Sequence, residues 1–353
     1  MTVDALAFLD RAFATFEHAV AVTGVDEVDL SIAGDRVRLR FAGPALQPLL
    51  LRAMEHLRVP VDPTADVALT ISVFDSETTG VRMPPPPWTQ DDYRPKGEIA
   101  GCNDDRVHTQ FEPGVDLLHL YDAERRVALL WAPAPGAVPW WEPTFPFRTI
   151  LHWWCAPSAR QPAHAGAVGC DGRGVLLTGP SGSGKSTASL ACLAAGLDYA
   201  GDDYVLVDSA AARVYCLYST AKLEPDNMER FPELRALVSN AERLHEEKAI
   251  VYLQDFRQDL RQDHQPLQIV PELELCGIVV PQVTGLPASE IVPLAPSAAL
   301  QALAPTTTFH LPRYGREVFT KLSALVREVP CYQLRAGTDL AGVAAAVDGL
   351  VRQ

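Results

Sequence analysis

Apolar residues recur at helical spacing through 4–20, where Leu6, Leu9, Phe13, Phe16 and Val20 form one stripe, so the chain is expected to open with an amphipathic helix. The period then drops to two. Residues 28–32 and 37–41 alternate on either side of Ala33-Gly34-Asp35, which predicts a β-hairpin. A second helix is expected over 44–57, with Pro44 near its first turn, where a missing N–H does little harm. Residues 67–74, 117–121 and 127–131 read as further strands. Pro84–Pro87 exclude a helix interior and predict an extended surface connection before Trp88, with a polyproline ligand as the alternative. Five prolines between Pro133 and Pro146 mark a boundary. Residues 1–145 are therefore expected to form a small α+β domain, a candidate for substrate recognition, and 146–353 a second domain.

The pattern after that boundary is different. A short apolar run at 174–178 leads into a glycine-rich turn and a helical run at 185–195, with Gly196 placed to cap it. Strand signals return at 197–200, 204–207, 214–218, 250–253 and 275–280. Strands alternating with helices in this way predict an α/β architecture around a mainly parallel or mixed sheet.

The turn itself carries chemistry. Gly179-Pro180-Ser181-Gly182-Ser183-Gly184-Lys185-Ser186, followed by Thr187, satisfies G-x-x-x-x-G-K-[ST] between a strand and a helix. Glycines at those places let consecutive backbone N–H groups converge on phosphate oxygens, and the helix points its positive end at the same spot. Lys185 is then in reach of the β- and γ-phosphates, and the Ser186 hydroxyl is a candidate Mg²⁺ ligand. Asp202-Asp203 follows a short strand; at the carboxyl end of a strand in such a sheet, two carboxylates can divide metal binding and proton acceptance between them. A solvated turn is the other reading of that pair. His164, fifteen residues before Gly179, is on its own either a packed residue or a participant.

Charge narrows the partners. With 44 acidic and 30 basic side chains the formal net charge is −14, which repels a nucleic-acid backbone, yet a nucleotide can still be held by local amides and one lysine. No run approaches the ~20 apolar residues of a membrane span, and Asp4 and Asp10 interrupt the opening segment where a signal peptide needs an apolar core. The expected location is cytoplasmic, without membrane or nucleic-acid partners. Seven widely spaced cysteines with no CxxC read as reduced, mostly buried small hydrophobes.

Taken together, His164, the loop and the Asp pair within residues 164–208 resemble the catalytic domain of the HPr kinase/phosphorylase family and its serine-kinase relatives. The resemblance implies a P-loop α/β kinase domain using ATP and Mg²⁺ to phosphorylate a hydroxyl, expected to be a serine on a protein or peptide. It implies that Lys185 and Ser186 hold triphosphate and metal, that Asp202 or Asp203 takes the acceptor proton, with Asp202 favoured and Asp203 also a candidate metal ligand, that His164 tunes that carboxylate, and that the chain is a homo-oligomer. Weaker similarity covers Lys222, Glu224 and Lys248, which are either phosphate- and metal-side groups or surface residues. The phosphorylase signature of the bifunctional enzymes is not found; Glu272–Gly277 resembles it only faintly. The first 145 residues do not resemble those enzymes' N-terminal domain. A small-molecule hydroxyl kinase and a nucleotide-binding regulatory protein with little catalysis are the competing readings.

Overall fold

A computed structural model describes residues 4–112, 114–255 and 268–353. The chain packs as two units, Met1–Pro157 with His310–Tyr314, and Ser158–Phe309 with Gly315–Gln353.

In the first unit, α1 (Ala5–Thr23) starts at Asp4, whose carboxylate accepts from the Ala7 N–H, and buries Phe8, Leu9, Ala12, Phe16 and Ala19. Strands β1 (Val25–Ile32) and β2 (Asp35–Ala42) pair antiparallel. Their two-residue connection has Ala33 at φ 51° and Gly34 at φ 84°, the doubly positive geometry that matches strand twist. The helix expected over 44–57 is divided: α2 covers Leu46–Leu51, and Arg52–Leu57 tighten into a 3₁₀ helix. After β3 (Arg58–Val59), β4 (Leu69–Asp75) lies parallel to β2 and leads into α3 (Ser76–Thr79). Strands β5 (Val107–Glu112), β6 (Leu117–Asp122) and β7 (Val127–Ala132) complete a seven-stranded sheet in the order β3-β1-β2-β4-β7-β6-β5, before α4 (Arg148–Cys155). β5 carries no apolar alternation strong enough to announce it. The prolines at 84–87 lie outside helix and strand, but Trp88 after them is buried edge-on to Phe8, their ring centroids 5.0 Å apart.

The second unit is a mixed α/β sheet. Its strands are β8 (Arg160–Ala163), β9 (Ala165–Cys170), β10 (Arg173–Thr178), β11 (Asp198–Gly201), β12 (Val205–Asp208) and β13 (Arg213–Tyr215). β14 (Thr220–Leu223) and β15 (Ala249–Tyr252) form a separate antiparallel pair. β16 (Glu272–Val283), β17 (Glu290–Pro293) and β18 (Cys331–Ala336) close the list. The helices are α5 (Lys185–Ala194), α6 (Pro296–Thr308), α7 (Gly315–Glu328) and α8 (Leu340–Val351).

Strands β10, β16 and β18 are parallel neighbours, and the other strand pairs described in this unit are antiparallel. Val175 and Leu177 join the core that α5 and α8 make with Val168, Leu190, Val279 and Val347. The strand expected over 214–218 stops at Tyr215, because the Cys216 N–H turns to the Pro271 carbonyl.

One feature of the sheet positions the site. Residues 160–170 and 198–208 form a single bent antiparallel ribbon: Val205 pairs with Ala163 on one side of the bend, and Gly201 with Ala167 on the other. The bends fall at His164 in one strand and at 202–204 in the other. Continuing the register places His164 opposite Tyr204, and their rings lie 5.3 Å apart. No helix among the described residues is long and apolar enough to cross a membrane, and five of the seven cysteines are buried.

Candidate active site

β10 delivers the chain into the glycine-rich loop. Gly179, Gly182 and Gly184 adopt φ of 151°, 79° and 99°, values that L side chains rarely take. The loop has no slack at its entry, where a β-carbon on Gly179 would stand 2.8 Å from Ser183 Oγ. The Ala188 N–H bonds to the Gly184 carbonyl to start α5, leaving the first amides of a ten-residue helix directed into the loop. Lys185 is folded back over this cradle, donating to the Gly179 carbonyl at 2.7 Å and the Pro180 carbonyl at 3.1 Å. Burial lowers its pKa, while the charges of Asp202 and Asp203 oppose that shift. Two carbonyl oxygens thus satisfy the ammonium, as the oxygens of a phosphate could.

The ribbon bend separates the two aspartates. The Tyr204 N–H closes a three-residue turn on the Asp202 carbonyl at 2.9 Å, and Asp203 at its centre sits at φ 70°. That conformation is uncommon for a residue with a β-carbon, and such strain concentrates at functional sites. Its consequence is that neighbouring carboxylates enter different surroundings.

Asp203 lines the cleft beside the loop together with His164 and Lys222. His164 Nε2 lies 3.0 Å from its Oδ1, and Lys222 Nζ forms an ion pair with its Oδ2. Burial by itself pushes the Asp203 carboxyl up, but the Lys222 charge and the His164 hydrogen bond overcome this and hold it well below the ordinary carboxylate range. Asp202 is absent from the cleft wall. It lies 1% exposed behind the loop, near Gly166 and Ser189, and neither oxygen has a hydrogen-bond partner. Burial first, and the Asp203 charge second, raise its pKa; the Ser186 hydroxyl, the Lys185 charge and the Asp203 backbone N–H offset part of the rise.

An unpartnered buried carboxylate beside a serine hydroxyl suits a divalent cation. Among the described residues no group of three or more His, Cys, Asp or Glu side chains is arranged to hold one.

Of the weaker candidates, Lys222, Glu224 and Lys248 all reach the cleft, and Lys248 Nζ is paired with Glu224 Oε1 at 2.9 Å. The cleft also contains Asn227, Arg230, Val283 and Leu340, which no motif in the sequence marked. Arg230 comes from a 3₁₀ segment (Pro225–Arg230), and Val283 and Leu340 from the ends of distant elements.

No family profile matches the sequence, and no curated protein matches it. Among solved structures, the chain is similar to the Hpr(Ser) kinase/phosphatase from Coxiella burnetii, at 16% identity over 54% of this chain and 94% of that one, with a TM-score of 0.26.

Proposed function

We propose that the second unit is an ATP- and Mg²⁺-dependent kinase that transfers the γ-phosphoryl group to a hydroxyl. The observation that carries this reading is the placement of Asp203, paired to His164 and Lys222, on the wall of the same cleft as the phosphate loop and Lys185. Loop amides and Lys185 would gather the triphosphate, and Ser186 with Asp202 would hold the metal, which supplies charge neutralisation at the phosphates. Asp203, kept ionised, would orient the acceptor hydroxyl and take its proton, while His164 and Lys222 fix the carboxylate's direction. Catalysis of this kind is positioning and electrostatics around little covalent chemistry. Following the sequence resemblance, the acceptor is proposed to be a serine on a protein or peptide.

Incubation with γ-labelled ATP, Mg²⁺ and either serine-containing proteins and peptides or small hydroxyl compounds tests this. Label in a serine supports the proposal, and label confined to a small molecule moves the acceptor to that class. Hydrolysis without transfer to any hydroxyl removes the kinase reading.

The Asp203 environment gives a second check. Lys222→Met removes the charge that holds this carboxyl low, so its pKa rises and protonation begins at higher pH. The acid limb of kcat/KM is expected to shift to higher pH than in the wild type. An acid limb that does not move separates Asp203 ionisation from turnover.

A further inference from the structure

The order of strands orients the cleft. β10 feeds the phosphate loop; β9 and β11, whose ribbon bends at His164 and Asp203, lie on one side of it, and the parallel β16 and β18 lie on the other. Their carboxyl ends, Val283 and Ala336, reach the cleft at the level of the loop, followed by Leu340 and Val343 at the start of α8. The side carrying the Asp203 carboxylate is polar, and this opposite side is apolar. Contact with the loop is direct, since a β-carbon on Gly184 would lie 3.3 Å from Val283 Cγ2. Val283 is nonetheless 59% exposed, an apolar residue at the mouth of a polar cleft with a face to cover.

Two polar groups stand at this apolar end. Arg230 Nη2 donates to the Thr338 carbonyl at 3.1 Å, which holds the guanidinium across to the residues entering α8. The Asn227 side-chain amide lines the same cleft and makes no hydrogen bond to a described residue. An apolar slab, a fixed guanidinium and a side-chain amide offering both a donor and an acceptor are the requirements of a flat heteroaromatic ring with a polar edge.

We infer that the wall made by Val283, Ala336, Leu340 and Val343 seats the purine of the bound nucleotide, with Asn227 reading its edge and Arg230 closing over it. This rests on the nucleotide-binding reading and adds the direction in which the nucleotide lies: base over β16 and β18, γ-phosphate toward β9 and β11. The apolar wall then selects a nucleoside triphosphate over a bare polyphosphate chain.

Calorimetric titration of the full chain with Mg·ATP and with Mg·tripolyphosphate tests it, using Leu340→Ser and Asn227→Ala. Each variant is expected to bind ATP about tenfold more weakly while binding tripolyphosphate as the wild type does, because only the ring's contacts are removed. Unchanged ATP affinity in both variants overturns the purine seat and leaves the phosphate loop standing. A wild type that binds neither ligand overturns the nucleotide reading itself. Should Leu340→Ser lose both ligands together through damage to α8, Asn227→Ala, on its 3₁₀ segment, decides the question alone.

Discussion

Asp203→Asn is expected to slow phosphoryl transfer by about a thousandfold, roughly 4 kcal/mol of transition-state stabilisation, with ATP binding retained. The substitution keeps the size of the side chain and an oxygen that can face His164 Nε2, now 3.0 Å from Oδ1. What disappears is the negative charge. An amide cannot accept the proton of an acceptor hydroxyl, so the loss falls on kcat. Nucleotide affinity should stay the same or tighten, since Lys222, only 11% exposed, loses the carboxylate that it now neutralises and offers its full charge to phosphate oxygens. Steady-state rates with labelled ATP, together with ATP titration of the same preparation, separate these effects. A variant whose kcat stays within about threefold of wild type would show that this carboxylate is not the base, since positioned proton transfer contributes at least about a hundredfold.

The phosphate loop was legible because its motif specifies consecutive residues whose backbone, more than their side chains, does the binding. Gly179, Gly182 and Gly184 take the unusual φ values that their identity predicts. The bent ribbon was not legible. β8 and β9 are built from Arg-Gln-Pro-Ala and Ala-Gly-Ala-Val-Gly-Cys, short on the branched and aromatic residues that announce a strand. At Gly166 there is no room for more than hydrogen, since a β-carbon would fall 2.6 Å from Ser189 Oγ on α5 and 3.1 Å from Asp202 Oδ1. The division between Asp202 and Asp203 was equally hidden. Two adjacent carboxylates look interchangeable in sequence, and only the positive φ at Asp203 sends one to the cleft and the other behind the loop. The family resemblance favoured Asp202 as the base without deciding between the two, and the role proposed above falls to Asp203. The ion pair from Lys222 needed the separate pairing of β14 with β15 to bring it in, and nothing in local spacing encodes that.

Asp202→Asn is expected to stabilise the ligand-free protein while impairing Mg²⁺-dependent transfer. In the wild type an unpartnered carboxylate is enclosed at 1% exposure next to a second carboxylate, and both burial and that neighbour raise its pKa. A neutral amide removes the repulsion and can hydrogen-bond the Ser186 hydroxyl, for a gain of about 1–3 kcal/mol at neutral pH. The pH dependence has a fixed sign. Because the folded-state pKa lies above the unfolded one, at about 3.9, the native state binds more protons, and wild-type stability falls as pH rises between those two values. The advantage of Asp202→Asn should therefore vanish below the unfolded pKa and be complete above the folded one. Asp203, with its pKa depressed, acts in a separate window: its contribution is present above the unfolded pKa and lost as pH falls toward the folded value. Mg·ATP should reverse the ranking at neutral pH, since a ligand stabilises by its affinity for the folded state and the wild type retains the carboxylate proposed to hold the cation. Thermal melts with and without Mg·ATP, run at several pH values, read both effects. An Asp202→Asn protein that melts below the wild type without ligand would mean the carboxylate already has a structural partner, and the metal role would lose its physical basis.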